Sequence, residues 1–158
     1  MVKKPNDESI VLTLSKEEEV PKVVEEAVAV VEEKVADDPR PIQLIYVAGK
    51  YTETSLARTW LNVMRAVLHG IDIIKLGKTP YIPHLSYMVD QACRHSRVNV
   101  PYERWLSMCD DVLTRCDAMY VICDPSTSNG VTHEIELCLS LGIPIFYSLD
   151  EVKAAIGV

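Results

Sequence analysis

From residue 42 onward, apolar runs alternate with polar loops and with stretches of helical period. Residues 42–48, 119–123 and 143–148 read as strands. The middle one is a continuous apolar run, as expected for a strand covered on both faces. Residues 81–85 (YIPHL) read as a further strand, whose proline suits a strand end rather than a central ladder. Helical period marks residues 55–76, with Leu61, Met64, Val67, Leu68 and Ile71 expected to face inward, and a short segment at 86–94. It also marks residues 101–116, with Trp105, Cys109, Val112 and Cys116 on one face, and residues 149–156. A further helix is expected to carry Glu134 in its first turn, with Val131, Ile135, Cys138 and Leu139 on one face. Strands alternating with helices predict an α/β fold of flavodoxin/Rossmann-like type, a doubly wound parallel sheet of four to five strands.

The first 40 residues have a different texture and read as an acidic extension to a domain spanning 41–158. They hold 6 basic and 11 acidic residues, a balance of −5, against 10 and 12 in the remainder, a balance of −2. Residues 10–14 (IVLTL) suit a short strand. From Pro21, a favourable first helical residue, Val24, Val28, Val31 and Val35 recur at 4-3-4 spacing and line one stripe, with paired glutamates opposite. Two burial sites for this stripe are open: the chain's own domain, or another subunit.

Composition narrows the function classes. A chain of 158 residues is long enough to bury one core without staples. No apolar run approaches the roughly 20 residues of a membrane span, and no apolar signal core follows the N-terminal lysines. A cytoplasmic protein with no membrane partner is the expectation. The nearly neutral body offers no basic surface for nucleic acid. Five cysteines, odd in number and without a CxxC pair, read as reduced thiols, and Cys93 with His95 alone does not make a zinc site.

The candidate chemistry lies in two loops. Asp124–Gly130 (DPSTSNG) is dense in turn formers and joins a buried strand to the helix of Glu134. Ligands of parallel sheets sit over the C-terminal strand ends and helix N-termini. Glu134 is therefore expected at the site, ionised by the helix start and suited to act as a nucleophile. The loop after the first strand holds Gly49, Lys50 and Tyr51, a setting for an anionic or hydroxylated ligand. It matches neither GxxxxGK[ST] nor GxGxxG. Asp110 is the candidate second carboxylate, flanking a buried stripe, while Asp111 and Asp117 are expected to be surface and structural residues. His84 and His133 are possible bases or ligand contacts, and the hydroxyl of Tyr46 is within reach of the sheet's C-terminal edge.

Together, IYVAGKYT (45–52), the helix with Arg58, Asn62 and Ala66, TPYIPHL (79–85), the helix ending in RCD (115–117) and SNGVTHEIELCLSLGIPI (128–145) resemble the nucleoside 2-deoxyribosyltransferase-like superfamily over residues 42–148. That group includes 2′-deoxynucleoside 5′-monophosphate N-glycosidases and many phage and bacterial domains. The resemblance implies cleavage or transfer at the N-glycosidic bond of a nucleoside or nucleotide, through a glutamate nucleophile matched by Glu134 and steadied by Tyr46. The alternative is a non-enzymatic nucleotide-binding or sensing domain with the same pocket. It implies no metal and no organic cofactor, and a homodimer or larger homo-oligomer. Ser128, six residues before Glu134, falls where the glycosidases bind phosphate, with Asn129 and Gly130 beside it and Lys50 in the facing loop. The active enzymes carry an aspartate eight residues before the one preceding strand three. Here that position is Cys109, and Asp110 lies one residue on, about 100° around a helix.

Overall fold

The computed structural model describes residues 41–158. The extension 1–40, with its expected strand at 10–14 and valine-striped helix, lies outside the described residues. The elements run in chain order β1 (Leu44–Ala48), α1 (Leu56–Lys75), β2 (Thr79–Tyr81), α2 (Tyr87–His95), α3 (Tyr102–Leu113), β3 (Ala118–Val121), α4 (Asn129–Leu141), β4 (Ile145–Phe146) and α5 (Leu149–Ile156). The four strands form one parallel sheet in the order β2-β1-β3-β4. This is the doubly wound arrangement expected from the alternating pattern, at the lower strand count.

Alternation along the strands divides the core between the two faces of the sheet. Tyr46, Ala48, Met119, Val121 and Ile145 pack with Leu113 and Cys116 at the end of α3 and with Val131 and Cys138 of α4. Ile45, Ala118, Tyr120 and Phe146 pack on the other side with Ile73 of α1 and Val152 of α5. Asp117 fixes the start of the sheet: its carboxylate accepts from the backbone N–H groups of Gln43 (2.9 Å) and Leu44 (2.8 Å). Its expected structural role is realised as a clamp between the ends of β1 and β3.

Several sequence expectations are corrected. The second strand ends at Tyr81, because Pro83 opens a short 3-10 turn, Pro83–Ser86, that carries His84 off the sheet. The expected inward face of α1 is wrong. Thr59, Val63, Ala66, Gly70 and Ile73 are buried, whereas Leu61, Met64, Leu68 and Ile71 are exposed. A helix lying on a sheet needs small side chains where a bulky neighbour already fills the space beneath it. At Gly70 an added Cβ would collide with the Ile82 side chain, so the larger leucines are rotated outward. Among the described residues no helix is long and apolar enough to cross a membrane.

Candidate active site

The sheet order reverses between β1 and β3, since β1 is followed on one side by β2 and on the other by β3. Chains leaving two such strands diverge and open a crevice at their C-terminal ends. Here the crevice is a cavity of about 700 Å³. Its walls are the β1 loop (Gly49–Thr52), the turn with Pro83 and His84, one side of α2, the α2–α3 connection, α3, and the start of α4.

Glu134 reaches this cavity from the second turn of α4, not the first. The helix starts at Asn129, capped by the Ser128 hydroxyl, which accepts from the Val131 N–H at 3.4 Å. Glu134 as a residue is 7% exposed. The Tyr46 hydroxyl, fully buried on β1, donates to Glu134 Oε1 at 2.6 Å. Ring contact with Tyr81 on β2, at 5.6 Å between centroids, holds the Tyr46 ring in place. The helix-dipole expectation for Glu134 is overturned by desolvation. Burial pushes its pKa up to about 7, with a contribution from the nearby Asp110 charge, while the Tyr46 hydrogen bond and His133 pull it back. A carboxyl in this range exchanges its proton near neutrality and serves as a nucleophile when ionised or as an acid when protonated.

The residues expected to bind substrate converge. Gly49, Lys50, Tyr51, His84, Ser128, Asn129 and Gly130 all line the cavity. Gly49 is required by close approach: a Cβ there would lie 2.7 Å from Ile122 Cγ1 and 3.4 Å from His84 Cε1. Lys50 Nζ pairs with Glu53 Oε1 at 2.8 Å. His84 is buried, with Nε2 3.2 Å from the Lys50 carbonyl oxygen. The opposite ring nitrogen, Nδ1, and the Tyr51 hydroxyl are buried without a hydrogen-bond partner among the described residues. Burial depresses the His84 pKa, so its neutral form is favoured.

Asp110 is placed differently. Its carboxylate lies 3.0 and 3.1 Å from His133 Nε2, joining α3 to α4, and it is not among the residues that line the cavity. Its neighbour Cys109 stands on the wall instead, beside the Tyr46 hydroxyl, with its thiol pKa raised first by burial. One residue of helical rotation accounts for the exchange. The face of α3 expected to be uniformly core also splits, with Trp105 and Cys109 facing the cavity and Leu113 and Cys116 entering the core.

Sequence reasoning missed the α2 wall, Asp90, Cys93 and Arg94. Arg94 Nε donates to both Asp90 oxygens, at 3.0 and 3.1 Å, one turn apart on the helix. The i,i+4 acid–base spacing was visible, but an exposed helix pair has the same spacing. Only the fold sets this pair at a cavity. Tyr102 and Trp105 add an aromatic border on α3.

Comparison with curated proteins and with solved structures finds no match. A family model matches residues 43–148, from the Asp117 clamp at the start of β1 to the cap of α5, and so takes in every cavity residue named above. With more than half its length matched by that model, the chain belongs to the family described as Domain of unknown function (DUF7768).

Proposed function

We propose that the protein cleaves or transfers the N-glycosidic bond of a nucleoside or nucleotide through Glu134. The observation that carries this reading is the buried Glu134 carboxyl, lining a cavity of about 700 Å³ with the Tyr46 hydroxyl bonded to one oxygen. The free oxygen of the ionised carboxylate adds to C1′ of the sugar as the C1′–N bond breaks. The bonding pair leaves with the base, which takes a proton from water. A water molecule, or the nitrogen of an acceptor base, then displaces the carboxylate from C1′ and frees the enzyme. Tyr46 fixes the rotamer of the nucleophile. Trp105 and Tyr102 offer flat surfaces to a base, and the start of α4 with Ser128 offers donors to a 5′-phosphate. Five unpaired cysteines suit a cytoplasmic setting.

A second reading has its own support. Asp110 is turned to His133, and a thiol stands on the cavity wall where the resembling enzymes carry an acid. A nucleotide-binding domain without turnover fits that arrangement. One experiment separates the two: incubation with deoxynucleosides and their monophosphates, with free base followed chromatographically and binding by calorimetry. Release of base from any member of the panel supports the glycosidic reading. Binding without release supports the second, and neither binding nor release rejects both.

A further inference from the structure

The outward side of α1 carries an apolar surface that the fold leaves open. Leu61, Met64, Leu68 and Ile71 follow at 3-4-3 spacing, and Leu56, Trp60 and Ile74 widen the stripe. All are exposed, Leu61 and Leu68 by 65% and 57%. Trp60 meets Tyr87, with ring centroids 5.6 Å apart, so the stripe continues onto α2, where Met88 and Val89 are exposed as well. Single exposed apolar residues are ordinary, but a stripe along a whole 20-residue helix marks a contact surface.

We propose that this face is the docking site of the chain's own N-terminal segment, residues 21–36, packed along α1 as a helix. Three observations select this occupant. The first is periodicity. Val24, Val28, Val31 and Val35 form a stripe about 16 Å long on a helix, against about 15 Å from Leu61 to Ile71. Their 4-3-4 and 3-4-3 spacings belong to the same heptad seam.

The second is reach. Ile42 and Leu76, the C-cap of α1, both pack against the cluster that holds Ile73. Residues 37–41 extend up to about 17 Å, which brings Val35 to the last turns of α1 and runs the two helices parallel.

The third is charge. α1 carries a net charge of +2, from Arg58, Arg65 and Lys75 against Asp72, and residues 21–36 carry a net −2, from Lys22 and Lys34 against Glu25, Glu26, Glu32 and Glu33. A second copy of α1 fits less well, because a twofold pairing centred between Met64 and Leu68 brings two Arg65 side chains together. The valine-rich segment is marginal as an isolated helix, so each stripe supplies what the other lacks.

The test places the photocrosslinker p-benzoylphenylalanine at Leu68 of the full-length chain, an exposed position that tolerates bulk. After irradiation, crosslinked species are separated by mass and mapped by peptide sequencing. Crosslinking within a single chain to residues 21–36 is the expected result. Val28→Asp with Val31→Asp should abolish it, with the far-ultraviolet spectrum of the domain retained. A crosslink in a dimer band, to α1 or to the N-terminal segment of a second copy, overturns the proposal, as does a chain that crosslinks to nothing. The same probe moved to Val31 should land on residues 56–78, and failure there also overturns it.

Discussion

The hydroxyl of Tyr46 and the carboxyl of Glu134 are joined at 2.6 Å, tying the central strand of the sheet to the helix that borders the cavity. The bond gives one carboxyl oxygen a fixed direction and leaves the other to face the cavity. It also competes with burial for the proton, and burial prevails.

Glu134→Gln should abolish base release while substrate affinity and fold remain close to wild type. The amide oxygen keeps the Tyr46 hydrogen bond in nearly the same shape but is a poor nucleophile. Single-turnover assays and calorimetry on the variant check this. Turnover at the wild-type rate would remove Glu134 from the mechanism.

Activity and stability should move in opposite directions with pH. The folded state raises the Glu134 pKa from the ordinary 4.5 to about 7, so it holds a proton more tightly than the unfolded chain does. That contribution is complete below about 4.5 and is lost as pH climbs through about 7, with a full loss of roughly 3 kcal/mol. The ionised nucleophile accumulates over the same interval, so kcat/KM should rise along an acid limb near 7. Melting temperatures from pH 5 to 8.5 should fall more steeply for wild type than for Glu134→Gln, whose side chain does not titrate. Parallel curves for the two proteins would reject the desolvation argument.

Ser128→Asp should shift preference toward unphosphorylated nucleosides. The new carboxylate still caps α4, so the helix start is preserved, while a 5′-phosphate meets a like charge. The ratio of kcat/KM for a nucleoside and its monophosphate is the measurement. An equal effect on both would place the phosphate elsewhere.

Asp110→Asn should cost little in either activity or stability. The Asp110–His133 contact is partly exposed, and such pairs contribute about 1 kcal/mol or less. Base release within a few-fold of wild type is expected. A loss of a hundredfold or more would bring Asp110 into the chemistry despite its orientation.

The strand–helix alternation, the position of β1, the bounds of α5 and the two cavity-lining loops were all legible in the sequence. Each rests on a strong local signal: a continuous apolar run, a serine cap, or a cluster of turn formers. The orientation of α1 was not legible. Leu61, Met64, Leu68 and Ile71 have the period of a core face, but packing selected the face with Ala66 and Gly70, where the Ile82 side chain fills the space beside the glycine. The exchange of Asp110 for Cys109 was hidden for a related reason. Neighbours on a helix point in different directions, and periodicity ranks both as near the buried stripe. The Asp90–Arg94 wall belongs to a segment whose place in space depends on the turn at Pro83. The α4 cap was readable from Ser128, but the pKa of Glu134 depends on everything packed around it.

The strand order has a consequence for a chain as it leaves the ribosome. β1, α1 and β2 emerge before β3 and can already pair along one edge of β1. The other edge waits for β3, on the far side of two helices and their connection. Until then the nascent protein presents an unpaired strand edge, whose free backbone N–H and C=O groups are a template for wrong pairing with other chains. A translational pause before β3 has cleared the ribosome would prolong that exposure, and one after it has emerged and paired would not. With the emergence of β3, β1 passes from one paired edge to two, and that template is closed.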